Sequence, residues 1–314
     1  MDIELKENER IDDLERNGYR IIQNKSRFCF GMDAVLLSGF ACEGETGKAW
    51  INTGRKVGAN KDLTALKIAD LGTGTGIIPI LLHGKLGYGQ KRDSVSGMTK
   101  CQSEAYERRP CEELEGANAQ TSGDKRDEGA GIENGEGTAR IYALEIQEEM
   151  KDMAERSVLL NDLQNDIKIV LGDIKQASEI LGRKCFDVVT SNPPYMKNAG
   201  GLTNPDMSKA ISRHELLCTF DDVASQANAI LKTGGRFYLV HRPERLAELI
   251  TTLKKNNLEP KRIRFVHSFA DTDATMVLIE STSGGKPFMR VDRPLIIYKD
   301  KGVYTDEILE IYNF

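Results

Sequence analysis

Lys67-Ile68-Ala69-Asp70-Leu71-Gly72-Thr73-Gly74-Thr75-Gly76-Ile77-Ile78-Pro79 is the stretch on which the reading of this chain turns. A short apolar run ends near an acid, three glycines follow at alternate positions, and an apolar helical pattern begins at once. Glycine removes the Cβ that would hold a ligand off the backbone and permits a tight turn, and the free amides of a helix N-terminus face such a ligand. The unit is therefore a ligand-binding strand-loop-helix. Its D-x-G-x-G-x-G spacing differs from the G-x-G-x-x-G of nicotinamide-binding loops.

Further short runs at 140–144, 167–170, 186–190, 236–240, 263–269 and 275–279 are β-branched or aromatic and are bounded by Gly, Asp, Asn or Pro, as strands are. Helical periodicity fills 146–161, with apolar residues at Ile146, Met150, Met153, Ala154, Val158 and Leu159, and 215–231, which ends at Lys232-Thr233-Gly234-Gly235. This alternation implies an α/β fold: a Rossmann-like, doubly wound, mainly parallel seven-stranded sheet, with the last two strands as an antiparallel edge hairpin.

Two stretches break the pattern. Residues 84–138 are rich in Gly, Ser, Glu and Lys and poor in large apolar side chains, too poor to offset the entropy of ordering, and are expected to be a disordered insertion. A shorter Gly-, Lys- and Asn-rich loop, 43–62, precedes the first strong strand. The organisation expected is an N-terminal segment, 1–62, followed by one domain, 63–314, that the insertion interrupts.

Composition narrows the class. The 314 residues are 39% hydrophobic and 29% charged, suited to a buried core under a polar surface. No run approaches the roughly 18 apolar residues of a membrane span, and the acidic, polar start does not read as a signal or transit peptide, so a cytoplasmic location is expected. Cys29, Cys42, Cys101, Cys111, Cys185 and Cys218 form no C-x-x-C pair, and no metal-ligand set is visible. The net charge of −5 offers no global attraction for nucleic acid, so such contact needs a local basic face.

Two acids extend the loop's signal. Glu145 closes the second strand and Asp173 follows the third. In a doubly wound sheet the carboxyl ends of adjacent strands line one crevice, where Glu145 can accept hydrogen bonds from two ribose hydroxyls and Asp173 one from an adenine amine. The competing reading is that each acid merely caps the next helix.

After the fourth strand comes Asn192-Pro193-Pro194-Tyr195. Consecutive prolines hold the backbone extended and rigid, so the Asn192 amide oxygen and the Pro193 carbonyl become two fixed acceptors for a planar NH2 group, leaving its lone pair toward a methyl sulfonium. Tyr195 can stack on the attached ring or amide plane. Positioning does most of the work, so neither a catalytic histidine nor a cysteine is required.

Together, D-x-G-x-G-x-G, the two strand-end acids and N-P-P-Y resemble the class I S-adenosylmethionine-dependent amino-methyltransferases. Within them, Glu9-Arg10-Ile11-Asp12-Asp13-Leu14, Gly18-Tyr19-Arg20-Ile21-Ile22-Gln23, Phe28-Cys29-Phe30-Gly31-Met32-Asp33-Ala34-Val35-Leu36-Leu37, Ser212-Arg213-His214-Glu215-Leu216 and Val240-His241-Arg242-Pro243-Glu244-Arg245-Leu246 resemble the bacterial tRNA1(Val) adenine-37 N6-methyltransferase family. The resemblance covers nearly all of the chain outside the insertion, which is its one departure. It implies S-adenosylmethionine as cofactor, tRNA as substrate and the adenine next to the anticodon as target. Asp70, Gly72, Thr73, Gly74, Gly76, Glu145, Asp173 and Asn192 would contact the cofactor, Asn192, Pro193, Pro194 and Tyr195 would form the catalytic motif, and Gly31, Asp33 and Ala34 would lie in an N-terminal segment folded over the site.

N-P-P-Y also serves the glutamine amide of release factors and bases in DNA or ribosomal RNA, so it specifies the acceptor chemistry better than the polymer. Arg16, Arg20, Lys25 and Arg27 near the start, with Lys254, Lys255, Lys261, Arg262 and Arg264 near the sixth strand, suit a phosphate-contacting rim or an ordinary solvated face. His83 and His267 read as packing or surface residues, and His241 as the end of the fifth strand.

Overall fold

The computed structural model describes residues 3–14, 17–25, 31–43, 66–86, 140–193 and 218–312. Pro194, Tyr195, the 212–216 motif, Arg16, Arg27, most of the 43–62 loop and the insertion from residue 87 onward lie outside the described residues. The chain begins with an antiparallel hairpin, β1 (Glu9–Asp13) and β2 (Arg20–Asn24), and a helix, α1 (Met32–Cys42). The sheet then starts at β3 (Ile68–Leu71), followed by α2 (Ile77–Leu86), β4 (Ile141–Glu145), α3 (Glu148–Leu160), β5 (Ile167–Leu171) and the one-turn α4 (Ala177–Ile180). Next come β6 (Phe186–Ser191), α5 (Phe220–Ile230), β7 (Leu231–His241) and α6 (Leu246–Lys255). The long pair β8 (Leu258–His267) and β9 (Ala274–Ser283) completes the main sheet.

Strand order is β8-β9-β7-β6-β3-β4-β5, parallel except for β9, which runs antiparallel to both β7 and β8. All seven expected strands are present. The β8–β9 hairpin is not the outermost layer, however, because β10 (Arg290–Val291) and β11 (Leu295–Ile296) pair in parallel along the outer side of β8 and cover an edge that would otherwise invite association. A small hairpin, β12 (Tyr298–Asp300) and β13 (Val303–Tyr304), and a last helix, α7 (Asp306–Tyr312), follow.

The central strands are apolar on both faces because both faces are covered; every residue of β3 and β4 is buried. One core cluster joins the sheet to α1, α2, α3 and α7, through residues such as Leu36, Ile80, Ala154 and Ile311. The other joins it to α4, α5 and α6, through Ala177, Val223 and Leu253. Nine residues of α1 are buried, so this helix carries no polar face and serves as a core element.

Some expected boundaries shift for identifiable reasons. α2 runs to Leu86 and buries Gly84, so the insertion starts later than residue 84: the Asn17 side chain donates to the Gly84 carbonyl, and Lys85 Nζ to that of Ile311 at 2.5 Å. α5 begins at Phe220, not at 215, because Thr219 and Asp222 form a reciprocal capping box there. Leu231 belongs to β7 and Ile146 lies outside α3.

Candidate active site

The chain order reverses beside β3: β4 and β5 extend the sheet on one side of it, β6 and β7 on the other. The crevice at such a reversal, at the carboxyl ends of the strands, is where open α/β sheets bind ligands. Leu71 and Ser191 are register partners, and Ser191 Oγ donates to the Leu71 carbonyl at 2.9 Å. Gly72 and Asn192 therefore leave the sheet side by side, about 5 Å apart by the usual strand spacing.

Gly72, Gly74 and Gly76 have φ of 78°, 59° and 85°, so all three lie in the left-handed region, where a Cβ is disfavoured. At Gly76 a Cβ would also stand 3.2 Å from that of Ala154 on α3. The first loop amides are committed to the sheet: Gly72 and Thr73 donate to the Leu144 carbonyl at 2.9 and 3.0 Å, and Gly74 donates to Glu145 Oε2 at 2.8 Å. The other Glu145 oxygen accepts from the Gln147 amide at 2.9 Å. Buried Glu145 thus fixes the loop and the entry to α3.

Asp70 is fully buried behind the loop. Thr190 donates to its Oδ1 at 2.6 Å, and the buried Thr73 hydroxyl also interacts with the carboxylate. Burial pushes the Asp70 carboxyl up to about 6 against the opposing effect of the Thr190 and Thr73 hydroxyls, and the charge of Glu145 adds to the rise. Asp173 does cap the turn at Ile174–Gln176, accepting from the Lys175 amide at 2.9 Å, so the capping reading holds for that oxygen; the other lies 3.9 Å from the Lys175 ammonium.

Ile146 and Leu171 are candidate site residues that sequence reasoning missed. They are 43% and 47% exposed at the ends of β4 and β5, beside buried Glu145. Large apolar side chains left in solvent at the carboxyl edge are available to a flat ligand. The available signal was position: each immediately follows or ends a strand at the carboxyl edge.

His241 ends β7, next to β6 in the sheet. Burial, then the charge of Arg245, lowers its pKa to about 4, and its Nδ1 accepts the Arg242 amide at 2.8 Å. It is neutral at physiological pH. The Cys218 thiol, near Asp173 and Asp222, is pushed up to about 12 by burial first and by those carboxylates next, so it supplies no thiolate.

The N-terminal segment packs on the sheet and the helices that cover it. The hairpin packs on α3, with Ile22 in one cluster with Met150 and Met153, the Ile22 amide donating to Ser157 Oγ at 3.0 Å, and Arg156 gripping Glu9 at 2.6 and 2.8 Å. The last turn of α1 meets β8, where Arg262 donates to the Phe40 carbonyl at 2.7 Å and Arg264 reaches Glu43 just past the helix at 3.5 Å. Asp33 Oδ1 accepts the Ala34 amide at 2.9 Å, and a Cβ on Gly31 would fall 2.7 Å from that oxygen, so a side chain there would displace the carboxylate.

For two of the basic residues both readings, phosphate rim and solvated face, are overturned. Arg262 and Arg264 are buried. Arg262 binds Glu280 at 2.9 Å and the Phe40 carbonyl at 2.7 Å and lies 3.8 Å over the Phe40 ring, and Arg264 binds Glu307 at 2.6 Å. They fasten α1 and α7 to the sheet. Lys254, Lys255 and Lys261 sit where α6 ends and β8 begins, at the sheet edge opposite the crevice. Arg20 and Lys25 are exposed.

The sheet order, with the glycine loop at its reversal, is the fold of the class I S-adenosylmethionine-dependent methyltransferases. A solved structure described as a predicted O-methyltransferase from Agrobacterium tumefaciens shares the fold, with a TM-score of 0.53 at 20% identity over 90% of this chain and 96% of that one. The chain is more specifically similar to curated proteins named tRNA1(Val) (adenine(37)-N6)-methyltransferase. It is 26% identical to that of Pedobacter heparinus over 168 residues, 54% of this chain and 69% of the relative, and 26% identical to that of Porphyromonas gingivalis over 180 residues, 55% and 69%. No family model matches the chain. Among the described residues, no helix is long and apolar enough to cross a membrane.

Proposed function

We propose that the protein methylates the exocyclic N6 of an adenine in tRNA, the one adjoining the anticodon in tRNA1(Val), using S-adenosylmethionine in the cytoplasm. The observation that carries the reading is the Leu71–Ser191 register, which sets the glycine loop beside Asn192 at one strand reversal. The residues present fit the cofactor. A glycine-lined turn gives close backbone approach, Glu145 would accept from a ribose, Ile146 and Leu171 offer apolar surface for the adenine, and buried Asp70 and Thr73 back the loop from behind. When bound, S-adenosylmethionine supplies an electrophilic methyl on a good leaving group.

The remaining chemistry belongs to the chain. Asn192 and the Pro193 carbonyl accept the two amine hydrogens of the target base and orient its lone pair, Pro194 keeps that backbone rigid, and Tyr195 replaces the stacking the base loses on leaving its loop. Neutral His241 brings no positive charge to the crevice, and the proton released from the methylated nitrogen passes to water. The N-terminal segment, with Gly31, Asp33 and Ala34 at the start of α1, closes the site from above. The test is nucleoside mass spectrometry of tRNA from a strain lacking the gene. N6-methyladenosine should vanish from one tRNA and return with the wild-type gene but not with Asn192→Ala; an unchanged tRNA, with loss of methylation on release factor, refutes the RNA assignment.

A further inference from the structure

The residues after β9 build a second feature on the catalytic edge. β11 lies alongside the C-terminal end of β8, with Leu295 beside Val266 and Ile296 beside His267, and the Ile297 and Tyr298 amides donate to the His267 and Ser268 carbonyls at 2.9 Å each. This brings the β12–β13 hairpin to the level where β8 ends. Four aromatic rings stand there in series: Tyr312 and Tyr304 at 6.1 Å and 17°, Tyr304 and Tyr298 at 5.2 Å and 16°, Tyr298 and Phe269 at 5.6 Å and 36°. Burial first, then the neighbouring tyrosines, raise the Tyr312 hydroxyl at the inner end of the row. The row thus runs from α7 to the β8–β9 turn.

The four rings do not have the same job. Tyr298, Tyr304 and Tyr312 pack against the core cluster that holds α1, so they fasten the last hairpin and helix. Among the described residues, Phe269 packs against none of the core clusters; it is only partly buried and ends the row. Its place is nonetheless fixed: its amide donates to Thr272 Oγ1 at 3.0 Å, its carbonyl accepts from the Thr272 amide at 3.2 Å, and His267 Nδ1 meets the Thr272 carbonyl at 2.6 Å. A ring held rigidly at a rim, backed by another ring, loses little entropy when a flat partner stacks on it.

Resting on the tRNA reading above, we propose that Phe269 is a stacking face for an unpaired base of the substrate RNA, one flanking the methylated adenine. Phe269 follows β8, three strand spacings from β6 and Asn192, roughly 14 Å, a span that a few unpaired nucleotides cover. Stacking on an aromatic side chain is the usual means of holding splayed-out bases. The charges assign the base, not the backbone, to this spot: exposed Asp271 and Asp273 on the same turn repel phosphate and accept only N–H donors. The exposed Lys301 ammonium at the tip of the β12–β13 hairpin meets no carboxylate among the described residues and suits the phosphate alongside, whereas Lys299 is paired with Asp306.

The test uses the full chain carrying Phe269→Leu or Phe269→Trp, with methyl transfer to an unmodified tRNA transcript and to transcripts made abasic at single positions flanking the target. Removing a stacking ring should raise KM for tRNA about tenfold, within the roughly five- to hundredfold range for one stacked base, with a far smaller fall in kcat. Phe269→Trp should stay within about twofold of wild type. S-adenosylmethionine affinity and melting temperature should not move in either variant. One abasic position should cost the wild type as much as the Leu substitution does and cost the Leu variant little more. A Leu variant with wild-type KM, an abasic penalty equal in both proteins, or a Leu variant that melts early and loses cofactor affinity each overturns the proposal. A wild-type protein that methylates no tRNA transcript overturns the tRNA reading along with it.

Discussion

Replacing Asp70 by Asn should make the cofactor-free protein more stable and a poorer methyltransferase. Asp70 is fully buried, and its carboxyl stands at about 6 against an ordinary 3.8, chiefly through burial. The sign follows from linkage: a carboxyl whose folded pKa is raised holds its proton more tightly in the native state, so stability falls as pH rises between the two values and stays lowered above the upper one. Roughly two units at 1.36 kcal/mol each make the cost about 3 kcal/mol at neutral pH. Asn keeps an oxygen for the Thr190 hydroxyl and carries no charge, so Asp70→Asn should gain up to about that amount at pH 7.5 and almost nothing near pH 4. For a domain of this size the gain corresponds to a melting temperature higher by roughly 6–12 °C. Thermal unfolding of both proteins from pH 4 to pH 8, with calorimetric titration of S-adenosylmethionine, measures both halves; cofactor affinity should drop about tenfold or more. A variant no more stable than wild type at pH 7.5, or one with intact affinity, would refute the assignment of Asp70 as a strained cofactor contact.

Other substitutions separate the roles of neighbouring residues. Gly76→Ala places a Cβ at φ 85° and 3.2 Å from that of Ala154, so it should destabilise by about 2–3 kcal/mol in denaturant titration and weaken cofactor binding as well. Arg262→Ala leaves buried Glu280 without its nearest partner and should cost about 3–5 kcal/mol in the same titration, whereas Lys254→Ala and Lys255→Ala, at the far edge of the sheet, should leave KM for tRNA unchanged. Asn192→Ala should lower kcat strongly with cofactor affinity near wild type in steady-state and binding assays. Tyr195→Phe should keep most activity and Tyr195→Ala should not, since stacking needs only the ring.

The parallel strands were legible because a strand covered on both faces is apolar throughout, and β3, β4 and β6 announce themselves that way. The glycine loop and its acids were legible because their spacing is local. The elements that escaped notice depend on distant partners. β1 is Glu-Arg-Ile-Asp-Asp, with no apolar alternation, and forms only because β2 pairs with it and Arg156 on α3 holds Glu9. Strands of two residues such as β10 and β11 carry no pattern; they exist because β8 offers a free edge. The place of the basic residues stayed open because a run of charges does not reveal direction. Only the register of β8 with β9, which sets Arg262 opposite Glu280, shows that these arginines point inward, and only the parallel course of β8 puts the neighbouring lysines at the wrong end of the sheet.

The central claim is methyl transfer from S-adenosylmethionine to N6 of the adenine beside the anticodon, and its most direct test uses purified protein and two unmodified tRNA1(Val) transcripts that differ only in carrying adenine or guanine at that position. Nucleoside mass spectrometry should find N6-methyladenosine in the first and no added methyl in the second; equal methylation of both, or transfer to release factor alone, would contradict the account.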